Sequence, residues 1–348
     1  MFFASDNATG AAPEVMAAIA EAEAGYAMPY GNDPLTERAQ ARVREVFEAP
    51  NAAVYFVATG TAANALALAS HCPPWGTVFC HKGSHIEEDE CAAPEFFTGG
   101  AKLTLLEGQD AKVSHDALQA AMASTARRGV HQVQGGAISV TQATEMGAAY
   151  SVKEVRALTS LARKARLPVH MDGTRLANVL ARMNVTPAEM TWKSGVDVLC
   201  LGATKNGTMA AEAVVLFDPE RAWEFELRRK RGGHLFSKMR LLSAQMEAYL
   251  ADDLWLRLAA QSNAMADRLA DGLRAADVHI ENQVGANMLF PRIRLDQHRR
   301  LQDAGARYYP WTDFDPDGPD DATVGIRLVT NFRTTEDEID QFLDVLAA

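Results

Sequence analysis

The stretch Val198–Leu199–Cys200–Leu201–Gly202–Ala203–Thr204–Lys205–Asn206–Gly207 joins a short apolar run to a glycine and places a lysine, Lys205, before the next glycine. A second run, Leu167–Pro168–Val169–His170–Met171, ends in a carboxylate, Asp172, followed by Gly173, Thr174 and Arg175. A lysine in a loop is ordinarily a solvated charge, and an aspartate at a strand end is ordinarily a helix N-cap. Together, each just past a buried strand, they form the pair that a pyridoxal phosphate Schiff base needs. The amine forms the imine, and the carboxylate keeps the pyridine nitrogen protonated, so that the ring draws electrons from a substrate Cα.

Working outward from these two runs, similar ones occur at Val54–Val57, Val78–Cys80, Leu103–Leu106, Ala137–Val140 and Ala213–Phe217. Helical or polar segments separate most of them. Seven apolar runs alternating with helices predict an α/β fold, a mostly parallel sheet covered on both faces. Ahead of the first run, residues 12–23 and 35–47 have helical spacing, with a Gly- and Pro-rich loop at 25–34. After Lys230 the texture changes. Residues 236–274 read as long helical segments, followed by strand candidates at Val278–Ile280, Met288–Ile293 and Val324–Phe332. Thr335 with Glu338 three residues on announces a final helix over 336–346. The expected organisation is a large domain over residues 1–240 and a smaller C-terminal α/β domain over 241–348.

The chain has 348 residues and a net charge of -11, which argues against attraction to nucleic acid or to an anionic membrane. Its four cysteines form no CxxC pair, so neither a disulfide framework nor a zinc site is expected, and a reduced, cytoplasmic setting fits. No secretory leader pattern and no transmembrane-length apolar stretch is read. The run Asp313–Gly318 opens like a calcium loop, but Val324 stands where the bidentate glutamate belongs. No metal is expected. Neither a dinucleotide fingerprint nor a Walker A pattern occurs.

Four further features carry chemistry. Thr59–Gly60–Thr61 follows a strand and opens an alanine-rich helix, where unpaired N–H groups and the helix dipole favour a phosphate; a plain threonine N-cap is the other reading. His81 and His85 are four apart, yet Gly83 between them disfavours a helix that would make them a metal pair. A histidine after a strand is also suited to lie over an aromatic ring. Arg327, inside the apolar run at 324–332, needs an anion or a structural ion pair to be buried. The basic run Arg228–Arg231 reads as a solvated helix end or a phosphate-side patch.

In this order the motifs are specific. Ser5–Asp6–Asn7, Tyr30–Gly–Asn–Asp–Pro34, Thr59–Gly–Thr61 with Asn64, Ser84–His85–Ile86, His170–Met–Asp–Gly–Thr–Arg175, Gly202–Ala–Thr–Lys–Asn–Gly207 and Ile326–Arg–Leu–Val–Thr330 span nearly the whole chain. The sequence resembles the low-specificity threonine aldolases, grouped with the β-eliminating lyases. The resemblance implies an aspartate-aminotransferase-like, fold-type I architecture. It implies pyridoxal 5'-phosphate and retro-aldol cleavage of L-threonine, L-allo-threonine and related β-hydroxy-α-amino acids such as phenylserine to glycine and an aldehyde. It assigns Lys205 and His85 as catalytic, with Gly60, Thr61, His85, Asp172, Arg175 and Lys205 around the cofactor. Ser5, Arg175, Arg327 and Tyr30 fall to the substrate. It also implies a homodimer or homotetramer with sites at the dimer interface, Tyr30 and the basic run around Arg231 reaching a neighbour's site. One departure stands out: many members of that family carry a second histidine after the fourth strand, where this chain has Gln142, Thr144 and Glu145 and no histidine. Other fold-type I chemistry, a β-eliminating lyase or an aminotransferase, would share the lysine, aspartate and phosphate cup, and a non-catalytic α/β binding protein could keep the fold.

Overall fold

The seven apolar runs form strands β1 (Ala53–Val57), β2 (Gly76–His81), β3 (Lys102–Leu106), β4 (Gln134–Thr141), β5 (Val169–Gly173), β6 (Val198–Gly202) and β7 (Glu212–Leu216) of one sheet. The computed structural model describes the backbone of residues 1–348 and the side chains of all but residues 126 and 128. Strands β2, β5, β6 and β7 are buried at every residue, as strands covered on both faces must be. The order is β1-β7-β6-β5-β4-β2-β3. Both neighbours of β7 pair with it antiparallel and the remaining pairs are parallel, so β7 alone runs against the other six. The carboxyl ends of those six therefore share one edge, where open α/β sheets bind ligands.

The helix following β1, Gly60–His71, is buried from Ala62 to its end, because alanine, serine and leucine along it allow close approach to the sheet. Helices Pro13–Ala22 and Pro34–Val46 pack beside Arg240–Leu250. The helical stretch expected over 236–274 is divided. Asp252 and Asp253 adopt φ of 48° and 55° and separate Arg240–Leu250 from Leu254–Ala275; left-handed backbone ends an α-helix.

A second sheet contains β8 (His279–Ile280), β9 (Met288–Leu289), β10 (Pro291–Arg294), β11 (Tyr309–Pro310) and β12 (Thr323–Val329), all paired antiparallel. Its apolar face packs on helices Leu254–Ala275 and Glu336–Ala347 through Leu269, Leu273, Ile326, Leu328 and Phe342. Trp255 and Ala259 belong to the large core and Met265 onward to the small one, so the passage between cores runs along helix Leu254–Ala275. The N-terminal segment joins the small core. Phe3 donates its N–H to the Arg307 carbonyl at 2.7 Å, accepts from Val329 N at 2.9 Å, and meets Phe342 edge to face at 5.3 Å. No helix among the described residues is long and apolar enough to cross a membrane.

Candidate active site

A cavity of about 300 Å³ opens at the shared strand edge, with Thr61, Asn64, His85, Thr174, Lys205 and Glu212 among its lining residues. Strand β1 delivers the first wall. Thr59 caps helix Gly60–His71 by accepting from Ala62 N at 3.2 Å, and Gly60 and Thr61 form the first turn, whose N–H groups lack intrahelical partners. A Cβ on Gly60 would meet nothing nearer than Thr174 Oγ1 at 4.0 Å, so the space beside it belongs to the cavity.

Strand β5 delivers Asp172. Its Oδ1 accepts from Thr174 N at 3.0 Å and Thr174 Oγ1 at 2.6 Å, and its Oδ2 from Asn64 Nδ2 at 3.0 Å. Burial alone would raise its pKa, but the Thr174 hydrogen bonds and the neighbouring His85 and His170 hold it below the ordinary value. The cavity thus has an ionised carboxylate at its base.

Strand β6 delivers Lys205 on the turn Thr204–Asn206, which Asn206 anchors by donating to Tyr249 Oη at 2.7 Å and to the Trp255 carbonyl at 2.9 Å. A Cβ at Gly202 would fall 2.5 Å from Thr174 Cα, so only glycine lets the loops bearing Lys205 and Asp172 meet backbone to backbone. Burial lowers the pKa of Lys205, Arg175 lowers it further, and Asp6, Asp172 and Glu212 oppose them. None of these carboxylates pairs with the amine directly: Asp6 is taken by Arg175, Asp172 by Thr174 and Asn64, and Glu212 by Ala203 N.

His85 starts the short helix His85–Glu88 beyond β2. Its N–H donates to Glu145 Oε1 at 2.7 Å, and its Nδ1 lies 2.9 Å from Glu90 Oε1, which also accepts from Asn64 Nδ2 at 2.8 Å. A carboxylate acceptor at Nδ1 makes that nitrogen the donor. The Glu90 hydrogen bond raises the His85 pKa, against burial. Asp172, Asn64, Glu90 and His85 therefore form one hydrogen-bonded chain.

The arginines meet at the N-terminal segment. Arg175 Nε and Nη2 donate to Asp6 Oδ2 and Oδ1 at 2.8 and 3.0 Å, and Asn287 Nδ2 donates to the same carboxylate at 3.1 Å. Burial would raise Asp6, and the charges of Arg175 and Lys205 overcome it. Arg327 reaches the Ala4 carbonyl at 3.4 Å through Nη2, while its buried Nε has no partner among the described residues. Ser5 Oγ accepts from Asn7 N at 3.1 Å.

The chain matches the beta-eliminating lyase family model over residues 3–295. It belongs to that family. Within it, a low specificity L-threonine aldolase of Pseudomonas aeruginosa is 40% identical over 308 residues, covering 88% of each chain. A probable low-specificity L-threonine aldolase of Arabidopsis thaliana is 27% identical over 57% of this chain and 55% of its own length. The solved threonine aldolase of Leishmania major superposes with a TM-score of 0.92 at 28% identity, covering 99% of this chain and 98% of that one. A serine palmitoyltransferase of Sphingomonas wittichii, at TM-score 0.73 and 14% identity, shares the fold alone.

Among the residues singled out in this family member, Gly60, Thr61, His85 and Lys205 line the cavity and Asp172 lies at its base, while Ser5, Arg175 and Arg327 gather at the N-terminal segment. Tyr30 lies outside the cavity lining, at the surface, with φ of 62° and the Lys230 ammonium 4.7 Å from its ring centre. His81 turns inward on its own loop, its Nδ1 accepting from Gly83 N at 3.1 Å. The basic run is mixed: Lys230 and Arg231 are exposed, whereas Arg229 is buried 4.8 Å over the Tyr55 ring. Of the polar residues after β4, Gln142 is consumed by both backbone groups of Tyr150 and Thr144 by the Asp110 carbonyl; Glu145 alone stays beside His85.

Asn64 is legible in the sequence only within a motif, and neither Glu90 nor Glu212 takes a role from it. Glu212 did leave a signal. It is a carboxylate opening an apolar run, and burial makes such a group as unfavourable as Arg327 without a partner.

Proposed function

We propose that this protein cleaves β-hydroxy-α-amino acids, L-threonine, L-allo-threonine and phenylserine among them, to glycine and an aldehyde, with pyridoxal 5'-phosphate as cofactor. The observation that carries the reading is Lys205: a half-buried amine without an ion-pair partner among the described residues, between an ionised buried Asp172 and the open start of helix Gly60–His71. The donor set fits the cofactor. Gly60 and Thr61 with the first-turn N–H groups suit its phosphate, Asp172 its pyridine nitrogen, Lys205 its carbonyl carbon and His85 a ring face. Bound there, pyridoxal phosphate supplies a cationic ring that takes up the electron pair of a broken Cα–Cβ bond.

The protein's own residues do the rest. Arg327, with Arg175 and Ser5, would hold the substrate carboxylate, and that hold would fix the orientation of the bonds at the substrate Cα. Asp6 and Asn287 lock the Arg175 fork. Glu90 fixes His85 Nδ1 as a donor, which leaves Nε2 to accept the β-hydroxyl proton. The 40% identity to the Pseudomonas aeruginosa aldolase supports this choice of reaction over others possible on the fold. The exposure of four large apolar side chains, Tyr26, Met28, Tyr30 and Phe236, supports an oligomer; sedimentation of a monomer at assay concentration would remove that reading.

The test is product analysis with the cofactor-loaded protein and either L-threonine or L-phenylserine. Glycine with one equivalent of acetaldehyde or benzaldehyde is expected. A 2-oxo acid in place of the aldehyde would move the protein to transamination or dehydration.

A further inference from the structure

Three carboxyls shielded at the cavity have no direct part in the chemistry above: Glu90, Glu145 and Glu212. Two are committed to His85, Glu90 through Nδ1 and Glu145 through the backbone N–H, where the Thr141 hydroxyl also donates to it at 3.0 Å. Glu212 stands on the other side, lining the cavity with Lys205.

Its position is fixed from several directions. Glu212 opens β7, directly opposite Gly202 in the ladder with β6 and opposite Val57 in the ladder with β1. Its Oε2 accepts from Ala203 N at 2.9 Å, two residues before Lys205. In the other direction, Ala211 N donates to Thr204 Oγ1 at 3.3 Å. The turn that carries Lys205 is thus tied to the start of β7 at two successive residues. Gly202, directly before this turn, packs backbone to backbone against Thr174.

A neutral acceptor would satisfy Ala203 N equally well. A buried carboxyl is an unfavourable choice for that purpose alone. What it adds is a negative charge beside an amine that carries a positive one in part of its cycle. We propose that Glu212 is a positioning residue for Lys205, holding its turn through Ala203 and supplying the counter-charge that favours its protonated state. The inference rests on the reading of Lys205 as the cofactor-bonding lysine.

Several titratable groups face this pair. Arg175, Asp6, Asp172, Glu212 and His85 interact with Lys205, and Lys205, Asp172, Tyr249 and Cys200 interact with Glu212. Burial pushes Glu212 up to about 7, against the Thr204 and Ala203 hydrogen bonds. Above that pH the carboxylate is charged and supports a cation at Lys205; below it the support is withdrawn.

The experiment is an absorbance titration of pyridoxal phosphate-loaded wild type, Glu212→Gln, Glu212→Asp and Glu212→Ala without substrate. Borohydride reduction and mass spectrometry of Lys205 run in parallel. Losing the negative charge disfavours the cation, so in Glu212→Gln the visible-band pKa should fall by about one unit, a tenfold loss of proton affinity. Glu212→Asp should keep the band near its wild-type pKa, whether or not the glutamine variant folds. A band that titrates identically in wild type and Glu212→Gln, or that moves as far in Glu212→Asp as in Glu212→Ala, overturns the role of Glu212 while the reduced adduct on Lys205 still stands. A wild type with no visible band and no adduct removes the reading of Lys205, and this inference with it.

Discussion

The seven-stranded sheet brings the ends of β1, β2, β5 and β6 to the cavity, with Thr61, His85 and Lys205 just beyond their strands and Asp172 near the end of β5, before Gly173, whereas the five-stranded sheet brings Arg327 from within β12. The attachments differ as well. Lys205 and Asp172 are braced by backbone closure at Gly202 and by Asn206 on Tyr249 and Trp255. Arg327 is held by one long hydrogen bond to Ala4 and a Tyr309 ring 6.0 Å away. The difference separates two tasks. On the proposed reading, the groups that act on particular atoms have closely braced backbone, and the group proposed to grip the substrate has the looser side-chain attachment.

Breaking that division has graded consequences. Lys205→Ala should lower turnover by roughly 10⁴-fold or more, as loss of a covalent catalyst does; steady-state assays at saturating substrate would show it, and near-normal turnover would end the assignment. Arg327→Ala should act mainly on KM. A charge-assisted hydrogen bond is worth about 1.5–3 kcal/mol, so KM should rise roughly 10- to 100-fold, with kcat changing less. A fall in kcat as deep as that of the lysine variant would mean that the small sheet shares in the chemistry. The mildest change lies farther out. Thr335 caps the last helix by accepting from Glu338 N at 3.3 Å, and Thr335→Ala should cost about 1 kcal/mol of stability. Its denaturation midpoint should fall while KM and kcat stay near wild type; altered kinetics would show that strain in the small domain reaches the cavity.

The large sheet was legible in the sequence because its strands are buried on both faces, which leaves uninterrupted apolar runs with glycine and polar residues between them. The reversed direction of β7 was not, since Ala213–Phe217 has the same character whichever way it runs. Strands of two residues, such as β8, β9 and β11, are too short to leave a period. At the cavity, Lys205, Asp172, His85 and Gly60 could be picked out because each comes within a few residues of a strand end. Glu90 and Asn64 could not be connected that way. Asn64 joins Glu90 to Asp172 across 26 and 108 residues of chain, and no local spacing encodes such a contact. Arg229 was hidden differently, as the buried member of an otherwise solvated basic run.

The close seam between Gly202 and Thr174 has a dynamic consequence. A loop that could swing independently would let the amine and the carboxylate sample separate arrangements, most of them idle. With no side chain between the two backbones, local opening at one loop must displace the other, so they form a single cooperative unit of unfolding. The population of half-assembled sites stays small, and amide protons on both loops become exchangeable in the same rare event.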